Sequence, residues 1–491
     1  MMPSHSTPRT GHVSTREVPV QPLIINGQPI EGARPEDEEQ VQTIFSPKDQ
    51  ATIVGKCALL QESQVPAVLS SAVQGFERAR RMTVPERMAV LQTMATRIQL
   101  ESDLWAQRLS AEAGKPITLA RQEVGRAIGV LQAYARALET FAPERRFLDG
   151  RHVEIHRAPV GPVLAITPFN FPLNLVLHKL APAIAAGCSF TLKPAPETPL
   201  TALALGQLAS ECGYESISVV PCRLAQAQQL VLAEEFRKLS FTGSATVGWH
   251  LKSLVPKKQV DLELGGTGAV IVDSLDQPAS AVAQRIAYAA YAYAGQVCIA
   301  VQRIFVNRTL AEDFVPELVE AIRALKVGDP ADPKVVVGPL IRPRDMQRVR
   351  DLIKDAINQG ANALYGGNAF NAYTMNPILL DRTTPGMRVN QEEAFGPLAT
   401  LILYDELDEA LSQVNNTPYG LQAGIYTTDP QAARRAFERL EMGGVIINDV
   451  PTYRHDVLPY GGVKESGTGR EGVMAGLTAM TVSKLYVELP R

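Results

Sequence analysis

A cysteine and a glutamate lie in surroundings that suit covalent chemistry. Cys298 lies in the apolar, small-residue stretch Gln296-Val297-Cys298-Ile299-Ala300, after a helical run. Glu263 ends an apolar run typical of a β-strand, earlier in the chain. A thiolate can attack an electrophilic carbon, and a nearby carboxylate can then activate water. Either residue alone has an ordinary structural explanation, because most reduced cysteines are buried and inert.

Length, composition and charge narrow the classes of protein to consider. The chain has 491 residues, which predicts two or three domains because one hydrophobic core rarely serves so long a chain. Hydrophobic residues make up 45% and charged residues 20%, as in an ordinary globular protein. The net charge of -3 gives no electrostatic basis for binding nucleic acid or an anionic membrane. No segment reaches the ~18 apolar residues of a membrane span.

The cysteines and the N-terminal segment indicate a cytoplasmic protein. The five cysteines lie far apart without CxxC spacing, which predicts a reducing compartment and neither disulfides nor a zinc site. Residues 1–20 lack the apolar core of a secretory signal, so we expect a flexible tail there. His152 and His156 would lie ~13 Å apart on a strand, too far for one metal ion, and no metal site is predicted.

The hydrophobic pattern predicts helices first and then strands alternating with helices. Apolar residues recur at intervals of three and four over residues 66–81, 85–113 and 117–141, which is typical of helices with one buried face. From residue 163 to 265, short apolar runs alternate with helical patterns, which predicts a parallel sheet covered by helices. A second such alternation covers residues 269–448. A nucleotide would bind at the carboxyl ends of the first set of strands.

Two further strands have no obvious partner in these sheets. Residues 152–156 alternate between polar and apolar side chains, and residues 479–489 form a late, isolated strand pattern. The two strands could pair with each other or with another subunit. We therefore expect a homo-oligomer, at least a dimer.

Seven short motifs follow one another along the chain. They are Thr167-Pro168-Phe169-Asn170-Phe171-Pro172, Leu192-Lys193-Pro194, Phe241-Thr242-Gly243-Ser244, Glu263-Leu264-Gly265-Gly266, Gly295-Gln296-Val297-Cys298, Glu392-Glu393-Ala394-Phe395-Gly396-Pro397 and Pro459-Tyr460-Gly461-Gly462-Val463-Lys464. From about residue 22 to the C-terminus, this series resembles the aldehyde dehydrogenase superfamily. The complete series is highly specific, although each motif alone would be weak evidence.

The resemblance implies an α/β fold and an activity. The fold would have a Rossmann-like nucleotide-binding domain, an α/β catalytic domain and a small β oligomerisation arm. The implied divisions are a tail at 1–20, an NAD(P)-binding domain at 21–139 and 158–265, a catalytic domain at 266–456, and an arm at 140–157 and 479–491. The implied activity is NAD(P)-dependent oxidation of an aldehyde to its carboxylic acid.

Three residues match the catalytic positions of that family. Cys298 resembles the nucleophile, which would form a thiohemiacetal and, after hydride loss, a thioester. Asn170 and the backbone N–H of Cys298 would stabilise the oxyanion, and one such donor is worth ~3 kcal/mol. Glu263 resembles the base that activates water, and a buried carboxylate has a raised pKa suited to that role. Lys179 and Glu471 match positions linked in the family to proton relay and local structure.

The resemblance also implies a set of residues around the dinucleotide. Lys193, at the end of a strand, would bind the adenosine ribose. Gly243 and Ser244 would let the pyrophosphate approach N–H groups at a helix N-terminus. Glu393 would hold the nicotinamide ribose, and Phe395 would pack near the nicotinamide ring. The remaining expected cofactor contacts are Ile166, Thr167, Val247 and Leu264.

The sequence departs from the family pattern at the adenosine end of this site. NAD-preferring members carry a glutamate three residues after the lysine, where this chain has Pro196 followed by Glu197. Proline neither accepts a hydrogen bond from the ribose 2′-hydroxyl through its side chain nor repels a 2′-phosphate. The family's glycine-rich loop is reduced here to residues 220–225. Arg223 in this loop is either a partner for a 2′-phosphate or a plain surface arginine, so the cofactor is NAD or NADP.

The segment 448–456 matches the family's substrate loop. Its Arg454 suggests a small polar or anionic aldehyde, because a guanidinium binds carboxylate, phosphate or sulfonate bidentately. Phe171 is a second candidate substrate contact. The loop looks most like the lactaldehyde and non-phosphorylating glyceraldehyde-3-phosphate dehydrogenase branches. Alternatively, Arg454 pairs with Asp449 or Asp456 and only braces the loop.

Two other functions stay open from the sequence. Relatives that pass the acyl group to coenzyme A resemble this family but lack the glutamate, so Glu263 favours hydrolysis. A catalytically silent relative with a structural role is the other alternative. The intact set of Cys298, Asn170 and Glu263 argues against it.

Overall fold

The computed structural model describes residues 18–31 and 39–489. Of the tail expected at residues 1–20, residues 1–17 lie outside the described residues. The first part of the chain forms short strands, four helices and a hairpin: β1 (Val20–Gln21), β2 (Leu23–Ile25), β3 (Gln28–Ile30), β4 (Val41–Phe45), β5 (Ile53–Ala58), α1 (Val65–Ala79), α2 (Val84–Leu100), α3 (Ser102–Ala113), α4 (Ile117–Leu138), β6 (Glu144–Leu148) and β7 (Arg151–Pro159).

The middle of the chain alternates strands with helices in two successive series. The first series is β8 (Val163–Ile166), α5 (Asn174–Ala186), β9 (Phe190–Lys193), α6 (Pro199–Glu211), β10 (Ile217–Val219), α7 (Leu224–Leu232), β11 (Lys238–Thr242), α8 (Ala245–Leu254) and β12 (Gln259–Glu263). The second series is β13 (Gly268–Val272), α9 (Ala279–Tyr291), β14 (Val301–Asn307), α10 (Ala311–Arg323), α11 (Pro343–Asn358), β15 (Asn362–Gly366), β16 (Ile378–Asp381), α12 (Arg388–Gln391), β17 (Leu398–Tyr404), α13 (Leu407–Asn415), β18 (Tyr419–Gly420), β19 (Gln422–Tyr426), α14 (Pro430–Arg439) and β20 (Gly444–Ile447).

The last segment returns to both halves of the molecule. Its elements are β21 (Val463–Lys464), β22 (Gly467–Thr468), α15 (Val473–Ala479) and β23 (Thr481–Glu488). Strand β22 adds to the sheet of the first series, beside β12. The chain after the substrate loop therefore contacts the backbone of Glu263 directly, because Glu263 pairs with Gly467 across these two strands.

The prediction of one long helix over residues 85–113 is wrong. The chain forms α2 and α3, separated at Glu101, whose φ of −109° and ψ of 22° are not helical. A capping box between Thr83 and Glu86 begins α2, and Gly114 in the left-handed region ends α3. Both helices bury their apolar face, so the hydrophobic period continues across the break and conceals it.

The first set of strands, at whose carboxyl ends a nucleotide was expected, belongs to an eight-stranded sheet. Its order is β22-β12-β11-β8-β9-β10-β2-β3, and the five strands from β12 to β10 run parallel. Ile166 pairs with Lys193 and with Phe241, while Thr242 pairs with Glu263. These residues therefore end neighbouring strands at one edge, and the predicted α/β class is confirmed.

A seven-stranded sheet is built by the second series. Its order is β15-β16-β17-β14-β13-β19-β20, and all its neighbours run parallel except β15 with β16. The cysteine segment connects α9 to β14 and so lies at an end of this sheet. No helix within residues 18–31 and 39–489 is long and apolar enough to cross a bilayer.

The two strands without partners pair with each other. β23 pairs antiparallel with β7 from Thr481 opposite Pro159 to Glu488 opposite His152, and β6 completes a three-stranded ribbon. Both faces of this ribbon expose large apolar side chains, including Phe147, Leu485 and Tyr486.

A buried carboxylate connects α3 to the start of α6. Glu112 is fully buried and accepts hydrogen bonds from the backbone N–H groups of Leu200 at 2.5 Å and Thr201 at 3.0 Å. The Thr201 hydroxyl donates a third bond at 2.6 Å. Two N–H groups that the helix itself leaves unpaired are thereby satisfied.

The substitution Glu112→Ala should lower the unfolding temperature. It leaves two buried N–H groups without an acceptor, at a cost of about 2–4 kcal/mol. The matched control is Glu139→Ala at the exposed end of α4, which should change stability by less than about 0.5 kcal/mol. Thermal and urea unfolding of both variants measure the difference, and equal midpoints would contradict the role of Glu112.

Candidate active site

Cys298 follows a left-handed turn that local preferences alone would not produce. Tyr293 and Ala294 have φ of 55° and 54°, and Gly295 follows with φ of 68°. Each non-glycine residue in this region costs on the order of 1–3 kcal/mol. A Cβ atom on Gly295 would lie 2.2 Å from the carbonyl oxygen of Gly396, so glycine is required there. The surrounding packing therefore holds the cysteine segment in place.

The side chain of Gln296 fastens this segment to the chain near residue 340. Its Nε2 donates to the carbonyls of Tyr293 and Pro339, both at 3.2 Å. Its Oε1 accepts from the N–H of Ile341 at 2.9 Å. Gln296 is buried and satisfied at both ends, which makes it a rigid neighbour for Cys298.

Asn170 faces the cysteine segment from the loop that follows β8. Its buried side-chain amide donates to the carbonyl of Gln296 at 3.0 Å and has a second N–H to offer. The loop is fixed because Glu123 accepts the N–H groups of Leu173 and Asn174, both at 3.0 Å, where α5 begins. Lys115 pairs with Glu123 in the same buried position.

Glu263 is a buried carboxylate without a hydrogen-bond partner among the described residues. It is 4% exposed, and neither of its oxygens is paired. Burial raises its pKa well above the usual value, and the charge of Glu471 raises it further, against Lys179 and Arg454. An unpaired buried carboxyl at the end of a strand is suited to exchange protons with a small molecule such as water.

A network of buried charges lies beside Glu263. Glu471 pairs with Lys179 at 3.1 Å and with Arg454 at 2.8 Å. Burial opposes ionisation of Glu471, but Lys179 and Arg454 outweigh it and hold the pKa of this carboxyl below its usual value. Asp456 lies 3.6 Å from Arg454 and accepts two hydrogen bonds from Arg126, at 2.9 and 2.6 Å.

Arg454 has a different main partner from those suggested by the sequence. Asp449 pairs with Arg285 at 2.7 Å, and only Asp456 of the two expected aspartates approaches Arg454. The Arg454 guanidinium also stacks 3.8 Å from the ring centre of Tyr460. The atom that approaches Asp456 is the buried Nε, which at 3.6 Å forms an ion pair but has no hydrogen-bond partner in the described part of the chain. Arg454 is thus braced by two carboxylates and can still donate a hydrogen bond from Nε.

Two cavities meet at Cys298. The larger has a volume of about 620 Å³ and lies on the side of the nucleotide edge, and the smaller has a volume of about 160 Å³. Four residues line both: Leu175, Cys298, Arg454 and Tyr460. The Sγ atom of Cys298 lies 3.1 Å from the hydroxyl oxygen of Tyr460. A sulfur shared by two cavities can react with a molecule in one while a second molecule occupies the other.

Comparison with known proteins identifies the chain. The sequence model of the Aldehyde dehydrogenase family matches residues 34–486. The chain belongs to the aldehyde dehydrogenase family. A 3-sulfolactaldehyde dehydrogenase of Priestia aryabhattai is 39% identical over 421 residues, which are 82% of this chain and 86% of that protein. The activity of this chain is NAD(P)-dependent oxidation of an aldehyde.

Solved structures of this family have the same fold. Aldehyde dehydrogenase 21 of Physcomitrella patens, in complex with the reaction product succinate, superposes with a TM-score of 0.91 at 35% identity, covering 96% of this chain and 98% of that one. Glyceraldehyde-3-phosphate dehydrogenase GapN of Methanocaldococcus jannaschii, complexed with NADP, superposes with a TM-score of 0.89 at 31% identity. This superposition covers 92% of this chain and 100% of that one.

The larger cavity has the chemistry of a dinucleotide site. The buried hydroxyl of Thr242 lines it and lacks a hydrogen-bond partner in the described residues. Ser244 begins α8 without a side-chain cap, so the first N–H groups of this helix remain for an anion. Glu393 accepts the N–H of Gly266 at 3.1 Å, and a Cβ on Gly265 would lie 2.3 Å from its carboxylate.

Most of the expected cofactor residues meet in this aldehyde dehydrogenase cavity, and some do not. Gly243, Ser244, Leu264, Glu393 and Phe395 line it, with the ring of Phe395 edge-on to that of Phe169, 5.9 Å between centres. The walls formed by the described residues do not include Ile166, Thr167, Lys193 or Val247. Ile166 and Lys193 end adjacent strands of the same edge, whereas Val247 lies on α8 with 46% exposure.

Sequence reasoning missed Lys115, Arg126 and Tyr460 at the smaller cavity. Lys115 and Arg126 line it, and the ring of Phe171, an expected substrate contact, lies between them with its centre 3.7 Å from the Lys115 nitrogen. Helical periodicity gave no signal for Arg126, because a charged residue on a helix is usually solvated. Tyr460 lies inside the motif at residues 459–464, and a phenol directly before its two glycines was the available signal.

Proposed function

We propose that this aldehyde dehydrogenase oxidises a small anionic aldehyde to its acid, with Cys298 as the nucleophile. The observation that carries the proposal is the position of Cys298 between two cavities, the smaller of which is lined by Lys115, Arg126 and Arg454. A cavity of about 150 Å³ can hold a benzene-sized molecule, so the smaller one suits an aldehyde of a few carbons.

The first chemical step is attack of the Cys298 thiolate on the aldehyde carbonyl. The second N–H of the Asn170 amide and the backbone N–H of Cys298 would stabilise the oxyanion. The rigid turn before Cys298 keeps the sulfur aligned, since reacting atoms must lie ~3–3.5 Å apart. The thiohemiacetal carbon would then lose a hydride, for which the nicotinamide ring would provide the acceptor when the cofactor is bound.

Glu263 acts as the base in the second half of the reaction. Burial raises its pKa, so its ionised form is a stronger base toward water than an exposed carboxylate, and the water it deprotonates then releases the acid from the thioester. The carboxyl lines the larger cavity together with Cys298. Glu393, Phe395, Gly243, Ser244 and Leu264 would hold the cofactor there, with Ile166, Thr167, Lys193 and Val247 at its adenosine end.

The substrate's charged end would bind the two guanidinium groups. Arg126 pairs with Asp456 through Nε and Nη2, which leaves Nη1 for another acceptor, and the Nε of Arg454 lies 3.6 Å from Asp456 without a hydrogen bond. A buried unpaired donor costs about 1–3 kcal/mol, which an anionic or hydroxyl oxygen would recover. The names of the relatives agree, because one acts on 3-sulfolactaldehyde and another was solved with succinate.

The adenosine end favours acceptance of NADP as well as NAD. Pro196 is exposed, and its carbonyl accepts a hydrogen bond from Gln42 at 2.6 Å. The next carboxylate, Glu197, pairs with Arg342 at 2.6 Å. Glu197 is thus neutralised by a cation that lines the larger cavity and does not present a free charge to a 2′-phosphate.

The assembly and location are also part of the proposal. The exposed apolar side chains on the ribbon of β6, β7 and β23 support a homo-oligomer formed through this arm. All five cysteines are free, which supports a reducing, cytoplasmic compartment. We assign the NAD(P)-binding domain to the eight-stranded sheet and the catalytic domain to the seven-stranded one.

Glu263→Gln should stop the reaction at the thioester. We expect steady-state turnover to fall about 10²–10⁴-fold, with one equivalent of NAD(P)H released in a burst. Intact mass spectrometry should then find the acyl group on Cys298, and Cys298→Ala should give neither burst nor adduct. Unchanged turnover in either variant would contradict the mechanism. Rescue of Glu263→Gln by coenzyme A, with a thioester product, would instead favour acyl transfer.

Arg126→Gln should discriminate between anionic and neutral aldehydes. Against succinic semialdehyde and glyceraldehyde 3-phosphate we expect KM to rise about tenfold or more, because a charge-assisted hydrogen bond is lost. KM for lactaldehyde, glycolaldehyde and benzaldehyde should change little. The control Arg121→Gln removes an exposed arginine of the same helix that pairs with Asp103. Equal effects on both aldehyde classes would make Arg126 a structural residue only.

Pro196→Glu should shift the cofactor preference toward NAD. A carboxylate there would face the 2′-phosphate, and at the ~1–4 kcal/mol of such a repulsion the KM for NADP⁺ should rise about tenfold. The KM for NAD⁺ should stay the same or fall. Pro196→Gln has a similar size without charge and controls for the loss of the proline ring. If both variants behave alike with NADP⁺, the ribose does not bind at this position.

A further inference from the structure

We propose that the hydroxyl of Tyr460 is the hydrogen-bond donor that stabilises the Cys298 thiolate and so sets the reactivity of the sulfur. This inference rests on the proposed role of Cys298 as the nucleophile. It gives a catalytic part to a residue whose motif position had no assigned chemistry.

The contact strengthens when the thiol ionises. The oxygen of Tyr460 lies 3.1 Å from Sγ, within the hydrogen-bond range for sulfur. A neutral thiol can donate or accept in this contact, whereas a thiolate can only accept. The phenol must then donate, and a hydrogen bond to an ionised acceptor is about twice as strong as a neutral one. The pair therefore favours the thiolate over the thiol.

Tyr460 is held in this position from three directions. Its backbone N–H donates to the carbonyl of Glu471 at 2.9 Å, and the N–H of Glu471 donates back at 2.7 Å. The Arg454 guanidinium lies 3.8 Å from the ring centre, and that guanidinium is itself paired with Glu471. The ring is 8% exposed. The hydroxyl is therefore directed at Sγ by the packing rather than by free rotation of the side chain.

The other charged groups around the sulfur do not replace this donor. Burial raises the pKa of Cys298 to about 11, and Glu393 and Glu263 also disfavour a second negative charge. The Tyr460 hydrogen bond and the Arg454 charge act in the opposite direction. Burial and the neighbouring Cys298 raise the pKa of Tyr460 itself well above its usual value, which favours the protonated phenol that can donate to sulfur. Of the groups favouring the thiolate, Tyr460 alone is recorded within hydrogen-bond distance of Sγ among the described residues.

The test is alkylation of Cys298 in the full-length protein and in Tyr460→Phe. The thiolate attacks iodoacetamide, the S–C bond forms, iodide leaves, and the thiol proton has already passed to water. The rate of alkylation of Cys298 is measured between pH 6.5 and 10.5 by mass spectrometry of the peptide that contains it. Phenylalanine keeps the ring and its stacking on Arg454 and removes only the donor. We expect the rate profile to move about one pH unit upward, roughly tenfold slower at pH 8.

Matched variants separate this effect from a change of packing. Tyr288→Phe removes another phenol from the wall of the smaller cavity and should leave the alkylation profile of Cys298 unchanged. Cys298→Ala gives the background of the assay. Buried Cys57 and Cys188 report on unfolding, because they become alkylated only if the variant opens. Superimposed profiles of the wild-type protein and folded Tyr460→Phe would overturn the proposal.

Enzyme kinetics give a second, independent outcome. Loss of the donor should lower kcat/KM about tenfold near pH 7.5, and this deficit should shrink only as the pH approaches the raised pKa of the Cys298 thiol, where the solvent ionises the sulfur without the donor. A residue needed only for packing would lower activity equally at every pH, and that result would count against the proposal. Full dehydrogenase activity of Cys298→Ala would refute the proposed function, while the alkylation profiles would still decide the hydrogen bond.

Discussion

The buried charge network around Glu471 is the constraint on which the site depends. Glu471 pairs with Lys179 on α5 and with Arg454 on the substrate loop, and Asp456 continues the network to Arg126 on α4. A buried charge that loses its partner costs several kcal/mol, so these elements must keep their relative positions. The network joins the helical layer, the substrate loop and the segment between β22 and α15, although the helices are distant from the other two in sequence.

The second constraint is close backbone packing near the reacting sulfur. A Cβ on Gly266 would lie 2.9 Å from the carbonyl oxygen of Cys298, and one on Gly295 would lie 2.2 Å from that of Gly396. The strained residues Tyr293 and Ala294 persist because these contacts and the Gln296 side chain leave no alternative path. Strain of this kind is stabilised by the surrounding fold and places the nucleophile accurately.

The two cavities differ in the charged and polar groups that line them. The larger is lined by the start of α8 and by carboxylates, which we propose to bind the cofactor, and the smaller is bordered by cations that each already have an anionic partner. A site of paired cations attracts an anion less strongly than bare cations would, but it keeps the donors fixed and costs no reorganisation when the substrate binds. Such a site would suit the small anionic aldehyde that we propose as the substrate.

The sequence by itself determined the family, the α/β class and the candidates Cys298, Asn170 and Glu263, because the order of several motifs is far more specific than any single one. Hydrophobic periodicity showed which faces are buried, but it could not show the break at Glu101, since the buried face continues across it. Only the tertiary structure decided that Glu471 is the main partner of Arg454 and that Tyr460 meets the sulfur. The physical reason is that ionic and hydrogen-bond partners are chosen by folded geometry, which brings distant residues together without leaving a local pattern.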